Sequence, residues 1–260
     1  MENNEQLAGR EYWDSTYEVK GYVEPLNVSG YKNYCNRQIL EVKEGVGLAN
    51  KSVLEIGGGG SHWLAYLAEA FPSSNFRALD YSAPGCELIT EYAQAHGLEN
   101  LSVAQDDFLS PRESHGSFDV VYSHGVVEHF PDLGSVLLAQ SRFLAGNGRM
   151  ITVIPNMAGI NGVLTKKINR GVYDIHVPHD LDSFVRGHEQ AGLTVLESGY
   201  LGSSNFSVLS SCFSRKKGMV WHLYVFLTRI SKALWFLESK GVPVPATKTF
   251  SPYIYVVSSG

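Results

Sequence analysis

The stretch VLEIGGGGSHWLAYLAEAF, residues 53–71, decides the fold. Val53, Leu54 and Ile56 read as a short buried strand, which Gly57 stops. After the glycines, HWLAYLAEAF places apolar residues at helical spacing, and Pro72 ends that run. Strand, glycine turn and helix make the first half of a βαβ unit. Four consecutive glycines suit neither helix nor strand. They let the main chain turn sharply and bring bare N–H groups against a ligand near the next helix's N-terminus. No P-loop lysine follows them, so a nucleoside triphosphate is not expected.

Outward from this point the pattern repeats. NFRALDY (75–81), NLSVAQDDF (100–108), SFDVVYSHG (117–125) and RMITVIPN (149–156) read as further strands. PGCELITEYAQAHG (84–97) and DLGSVLLAQSRFLAGNG (132–148) read as the helices between them, each closed by glycine. Right-handed βαβ connections then build a parallel sheet covered on both faces. Residues 157–175 read as irregular, 180–192 as a helix, 193–202 as a sixth strand and 251–259 as a seventh.

The chain has 260 residues, 44% of them hydrophobic and 18% charged, and a net charge of −5. That balance gives no broad basic surface, so nucleic acid is not an expected partner. Cys35, Cys86 and Cys212 have no metal-ligand spacing; reduced thiols and a cytoplasmic location are expected, with no metal. The start, MENNEQLAGREYW, is polar and does not read as a secretory signal. MVWHLYVFLTRISKALWFL (219–237) is apolar but interrupted by Arg229 and Lys232, and Arg215, Lys216 and Lys217 precede it. It reads as a helix packed on the domain or on a second copy, or as one lying on a membrane surface.

In a doubly wound sheet, ligands bind beyond the carboxyl ends of the strands. Asp80 ends the second strand there and suits a ribose diol. Asp106, Asp107 and Phe108 end the third, where an acid and a ring suit an adenine. Together these positions outline a site for an adenosine compound.

These motifs resemble the class I S-adenosylmethionine-dependent methyltransferases of the small-molecule type, over about residues 51–201. LEIGGGGS resembles that family's first motif, with Ser61 in place of its last glycine; ALDYSAPG resembles the second, VAQDDF the third and FDVVYSHGVVEHF the fourth strand with its turn. The resemblance implies S-adenosyl-L-methionine as cofactor. It implies Glu55, Gly57, Gly58, Gly59, Asp80, Tyr81, Asp107, Phe108 and Ser123 as its contacts. REYWDSTY resembles the family's N-terminal lid, which brings Tyr12, Trp13 and Tyr17 to the sulfonium end. The implied fold is α/β, a doubly wound Rossmann-like sheet of seven mostly parallel strands, with a helical lid over 1–50, the cofactor-binding core over 51–201, and an inserted apolar helix before the last strand within 202–260. Roughly fifty residues separate strands six and seven, where the family has a tight hairpin.

Methyl transfer from such a donor needs alignment, exclusion of water and, for a hydroxyl acceptor, a base. His176 and His179 rank first as base or acceptor ligand, then His124, with Asn156 as a hydrogen-bonding partner of the acceptor. His129 is expected to hold its turn together with Glu128. The expected reaction is methylation of an oxygen, less so a nitrogen, of a small metabolite or sugar-like acceptor. Two alternatives stand beside it: an enzyme on this fold that consumes the cofactor and releases methylthioadenosine, and a non-catalytic cofactor-binding or membrane-docked module.

Overall fold

A computed structural model describes residues 6–260. Seven strands form one sheet in the order β3-β2-β1-β4-β5-β7-β6. They are β1 (Ser52–Ile56), β2 (Asn75–Asp80), β3 (Leu101–Gln105), β4 (Phe118–His124), β5 (Leu144–Pro155), β6 (Thr194–Leu201) and β7 (Tyr253–Ser259). The first five run parallel, and β7 lies antiparallel between β5 and β6. The strand order reverses between β1 and β4, so a crevice opens beyond their carboxyl ends.

Alternation in β1 explains the two layers. Val53 points into a core with helices α2 (Tyr34–Gly45), α3 (His62–Ala70) and α4 (Ala83–Ala95). Leu54 and Ile56 point the other way, toward α5 (Leu133–Ser141) and α8 (Leu181–Gln190). Burial on both faces is why these strands read as nearly continuous apolar runs.

The lid helix α1 (Arg10–Lys20) lies against α4. Ser61 and Ser82 cap α3 and α4 by accepting hydrogen bonds from the N–H groups of Leu64 and Gly85.

Two expectations need correction. The helix expected over 132–148 ends at Ser141, and the residues from Leu144 join β5. Phe118 N–H donates to the Phe143 carbonyl, and Leu144 pairs with Phe118 across a register shift. That long-range pairing overrides the local helical spacing. The stretch expected to be irregular, 157–175, holds helices α6 (Ile160–Ile168) and α7 (Arg170–Asp174). Asn169 separates them and caps α7 by accepting from the Val172 N–H.

The insertion between β6 and β7 holds a 3-10 segment, Phe206–Cys212, and the long helix α9 (Met219–Ser239). A polar seam anchors α9. Trp235 Nε1 donates to the Ser204 carbonyl at 2.9 Å, the Ser203 hydroxyl donates to Glu238 at 2.8 Å, and Ser231 Oγ accepts from Phe206 N–H at 3.1 Å. Its other face leaves Met219, Leu223, Phe226, Ile230 and Leu237 exposed. No helix among the described residues is long and apolar enough to cross a membrane.

Candidate active site

The glycine loop is crowded by the protein itself. Gly57 has a φ of 74°, and a Cβ there would meet Val126 Cγ2 at 2.5 Å. A Cβ on Gly59 would lie 2.7 Å from Asp80 Oδ2. The loop is bare because β2, the turn after β4 and the lid approach it closely, and because main-chain N–H groups must stay reachable. Gly59 N–H donates to Asp80 Oδ2 at 2.9 Å, and Ser82 N–H donates to Asp80 Oδ1 at 2.8 Å. Asp80 therefore fixes the loop, with lone pairs on both oxygens left for a ligand. Burial raises its pKa, and these hydrogen bonds oppose the rise.

Two hollows meet at this loop. The first has about 550 Å³ of empty space, part of it open to solvent. Its walls include Trp13, Tyr17, Asp80, Tyr81, Phe108 and His129. The second is wider, about 1180 Å³ and open to solvent. Lys20, Glu55, His62, Trp63, Asn205 and Tyr253 line it. Gly57, Trp13, Tyr17 and His124 border both.

His124 stands at the junction, at the end of β4. Its ring stacks on Trp63 at 5.7 Å and meets the edge of Tyr253 at 5.6 Å. Its Nδ1 is buried and has no hydrogen-bond partner among the described residues. Burial, then Lys43 and His62, holds its pKa well below the ordinary imidazole value, so the ring is neutral near pH 7. His62 is pushed down to about 4, chiefly by burial. Glu55 accepts from the Tyr122 hydroxyl at 2.7 Å, and the Lys43 amine sits 3.5 Å over the Tyr122 ring. Burial lowers the pKa of that amine, which has no hydrogen-bond partner among the described residues, to about 7.

The expected site residues separate into groups. Trp13, Tyr17, Glu55, Gly57, Gly59, Asp80, Tyr81, Phe108 and His124 all line a hollow. Gly58 does not; a Cβ there would strike Ala78 at 2.9 Å, so it serves packing against β2. Asp107 accepts from the Leu109 N–H, and its neighbour Asp106 takes the wall position. Asp106 itself is held by Arg112 and by His115 at 2.9 Å, which keep its carboxyl well below the usual range. Ser123 donates to Gln140 and is buried. Tyr12 packs edge-on against Trp13, outside both hollows.

Four of the histidine and asparagine expectations move. Asn156 lines neither hollow; its amide donates to the Lys248 and Ser251 carbonyls and ties the end of the insertion to β5. His179 lines a separate surface hollow with Pro131, Ser183 and Arg186. His176 lies beside His129, the rings tilted by 52° with centroids 4.6 Å apart, behind the wall that His129 forms. His129, expected only to brace its turn, faces the first hollow beside Trp13.

The sequence reading also passes over Lys20. Its amine donates to the Gly60 carbonyl at 2.7 Å, which ties the lid to the glycine loop and places a cation in the second hollow. The only local signal is a lysine at the end of a lid helix. Its partner is forty residues away in sequence.

Comparison with known proteins agrees with this geometry. Residues 48–172 match a family model described as a methyltransferase domain. EEF1A lysine methyltransferase 2 from Danio rerio is 29% identical over 128 residues, covering 47% of this chain and 54% of that protein. The Mus musculus protein of the same name is 28% identical over 127 residues, covering 47% of this chain and 52% of that protein. The chain thus spans about half the length of the curated relatives it matches. A Haemonchus contortus phosphoethanolamine N-methyltransferase 2, solved with phosphomonomethylethanolamine and S-adenosylhomocysteine, superposes with a TM-score of 0.63 at 13% identity, over 98% of this chain and 59% of that one. A Streptomyces coelicolor geranyl diphosphate C-methyltransferase does so with a TM-score of 0.60 at 14% identity, over 96% and 84%. The sheet order, the glycine loop on Asp80 and these likenesses give the chain the class I S-adenosylmethionine-dependent methyltransferase fold, and residues 48–172 are the part that resembles a methyltransferase domain.

Proposed function

We propose that this chain transfers a methyl group from S-adenosylmethionine to an oxygen of a small, sugar-like or other metabolite acceptor. The observation that carries this reading is His124 at the join of the two hollows, its Nδ1 without a hydrogen-bond partner among the described residues. The residues fit the cofactor. Asp80 has acceptor capacity for a ribose diol, Phe108 offers a ring face to an adenine, and the Lys20 amine suits a carboxylate. Trp13 and Tyr17 present aromatic faces to a cationic centre between the hollows. When bound, S-adenosylmethionine supplies an electrophilic methyl carbon on a positively charged sulfur. His124 takes the proton from the acceptor hydroxyl, and the aromatic walls exclude water.

The acceptor end is built by Asn36 and Ile39 of α2 and by Asn205, Ser207 and Val208 of the insertion. All five lie outside residues 48–172. The acceptor of a relative therefore does not transfer to this chain with the matched domain. Asn205 and Ser207 supply polar groups, which favours a hydroxylated acceptor over an extended protein segment.

The exposed stripe of α9 supports a peripheral contact with an anionic membrane surface. Arg215, Lys216, Lys217, Arg229 and Lys232 are exposed around it on a chain of net charge −5.

The test incubates the chain with S-adenosylmethionine and a set of hydroxylated and amino metabolites, and reads products by mass spectrometry. S-adenosylhomocysteine with a methylated oxygen is the expected pair. Methylthioadenosine without a methylated product overturns the reading, as does a methylated nitrogen alone.

A further inference from the structure

We infer that Glu128, His129 and His176 form a binding site for one divalent metal ion behind the wall of the first hollow. One ligand atom from each of the three lies within 4.8 Å of the other two. The three residues come from two segments: the turn after β4 supplies Glu128 and His129, and the end of α7 leads into His176. This differs from the His176 and His179 spacing visible in sequence, which the fold does not bring to one point.

Both imidazoles are oriented as ligands. His129 Nδ1 donates to the Ile175 carbonyl at 2.6 Å, and His176 Nδ1 donates to the Val172 carbonyl at 2.7 Å. Each bond fixes a tautomer that leaves Nε2 with a free lone pair. A second nitrogen held by a backbone carbonyl is how metal-bound histidines are commonly set. His129 Nε2 lies 3.9 Å from Glu128 Oε1, too far for a hydrogen bond between them.

Glu128 supplies the independent observation. Its side chain is 1% exposed, and Oε2 has no hydrogen-bond partner among the described residues. A buried carboxyl oxygen without a partner is costly, and a bound cation would remove that cost. Its other oxygen, Oε1, has only 3.6 Å to the place a Cβ would take on Gly125, whose bare main chain borders the first hollow.

Two imidazole nitrogens and one carboxylate oxygen suit a borderline divalent ion such as zinc or manganese. Tetrahedral ligands at bond lengths near 2.1 Å stand about 3.4 Å apart, so a spacing at the 4.8 Å limit closes by about 1.4 Å through side-chain rotation. Three protein ligands leave positions open, and one of the three, His129, also lines the first hollow. The binding site does not rest on the proposed function.

The test uses the full chain without a histidine tag, stripped with chelator and dialysed against zinc or manganese chloride. Bound metal is measured by plasma mass spectrometry and by calorimetry. About one equivalent is expected, with affinity falling about 100-fold or more in Glu128→Gln and in His176→Ala. His222→Ala removes an exposed histidine on α9 and is expected to keep full uptake. Saturating zinc is expected to raise the melting temperature of the parent and of His222→Ala, and of neither ligand variant. Less than stoichiometric uptake by the parent chain overturns the inference. So does uptake that both ligand variants retain. A loss of turnover in His176→Ala with no metal uptake in the parent would also overturn it and mark a metal-free role. Because uptake is read without any acceptor, its failure is distinct from failure of the methyltransferase reading.

Discussion

Replacing Asp80 by alanine tests the centre of the site. Two effects can be worked from its bonds. The carboxylate accepts from Gly59 N–H at 2.9 Å and from Ser82 N–H at 2.8 Å. Leaving two buried donors unpaired costs roughly 1–3 kcal/mol each. Removing a buried charge whose own desolvation raises its pKa offsets part of that. A net stability loss of about 2 kcal/mol is expected. The second effect falls on the ligand, because a ribose diol loses its charged acceptor. That is worth roughly 1–3 kcal/mol, or about 5- to 150-fold in affinity for S-adenosylhomocysteine. Chemical denaturation measures the first effect and calorimetric titration the second. Ser82→Ala is the control. The Ser82 hydroxyl accepts from Gly85 N–H and donates to Asp14, but lines neither hollow. It is expected to cost about 1 kcal/mol of stability and to leave affinity unchanged. If a folded Asp80→Ala binds S-adenosylhomocysteine as the parent does, the ribose is not at Asp80. The placement of the whole nucleoside then fails.

Three further outcomes follow from named contacts. His124→Ala is expected to lower turnover about 10²-fold or more with S-adenosylhomocysteine affinity within about threefold; a full rate would remove His124 as the base. His188 is fully buried, accepts from the Thr152 hydroxyl and donates to the Phe184 carbonyl, and burial pushes its pKa down to about 4. The unfolded imidazole titrates near 6.5, so the unfolded chain binds the extra proton between those values. His188 therefore contributes full stability above about pH 6.5 and loses about 3 kcal/mol of it as pH falls to 4. Urea melts from pH 7.5 to 4.5 are expected to show a shallower loss in His188→Gln, and parallel curves would refute the assignment. Leu223→Glu with Phe226→Glu is expected to abolish sedimentation with phosphatidylserine vesicles, and parent binding is expected to weaken with added salt. A parent chain that ignores vesicles and dimerises through this face would assign α9 to self-association instead.

The sheet was legible because its strands are buried on both faces and punctuated by glycine. Val53 through Ile56 and Phe118 through Tyr122 announce themselves as apolar runs, and Asp80 is marked by standing at such a run's end. Where two local patterns compete, the sequence misleads. Leu144 continues the helical spacing of α5, yet its pairing with Phe118 draws it into β5. Nothing local records that pairing. Among the site residues, those on strand ends were readable and those on the path between strands were not. His179 and His176 are three apart, but one faces a surface hollow and the other faces His129. The direction of a loop side chain depends on contacts such as the Val177 N–H donating to the Glu128 carbonyl, which bridges 49 positions.

The insertion joins the two open questions, acceptor and location, through one small set of bonds. Asn205, Ser207 and Val208 wall the second hollow, and α9 presents the apolar stripe. Ser204 connects them directly: its carbonyl accepts from Trp235, and its hydroxyl pairs with Ser231 at 3.2 Å. Ser231 in turn accepts from the Phe206 N–H. A surface that pulls on α9 therefore pulls on this wall of the second hollow. With the proposed reaction, this geometry favours an acceptor that arrives at the same surface α9 contacts. Ser231→Val tests the coupling, because it removes a buried hydroxyl without touching either hollow or the exposed stripe. Vesicles are expected to alter the Michaelis constant of the parent enzyme for its acceptor and to alter that of Ser231→Val less. An identical vesicle effect in both would show that the two halves of the insertion act independently.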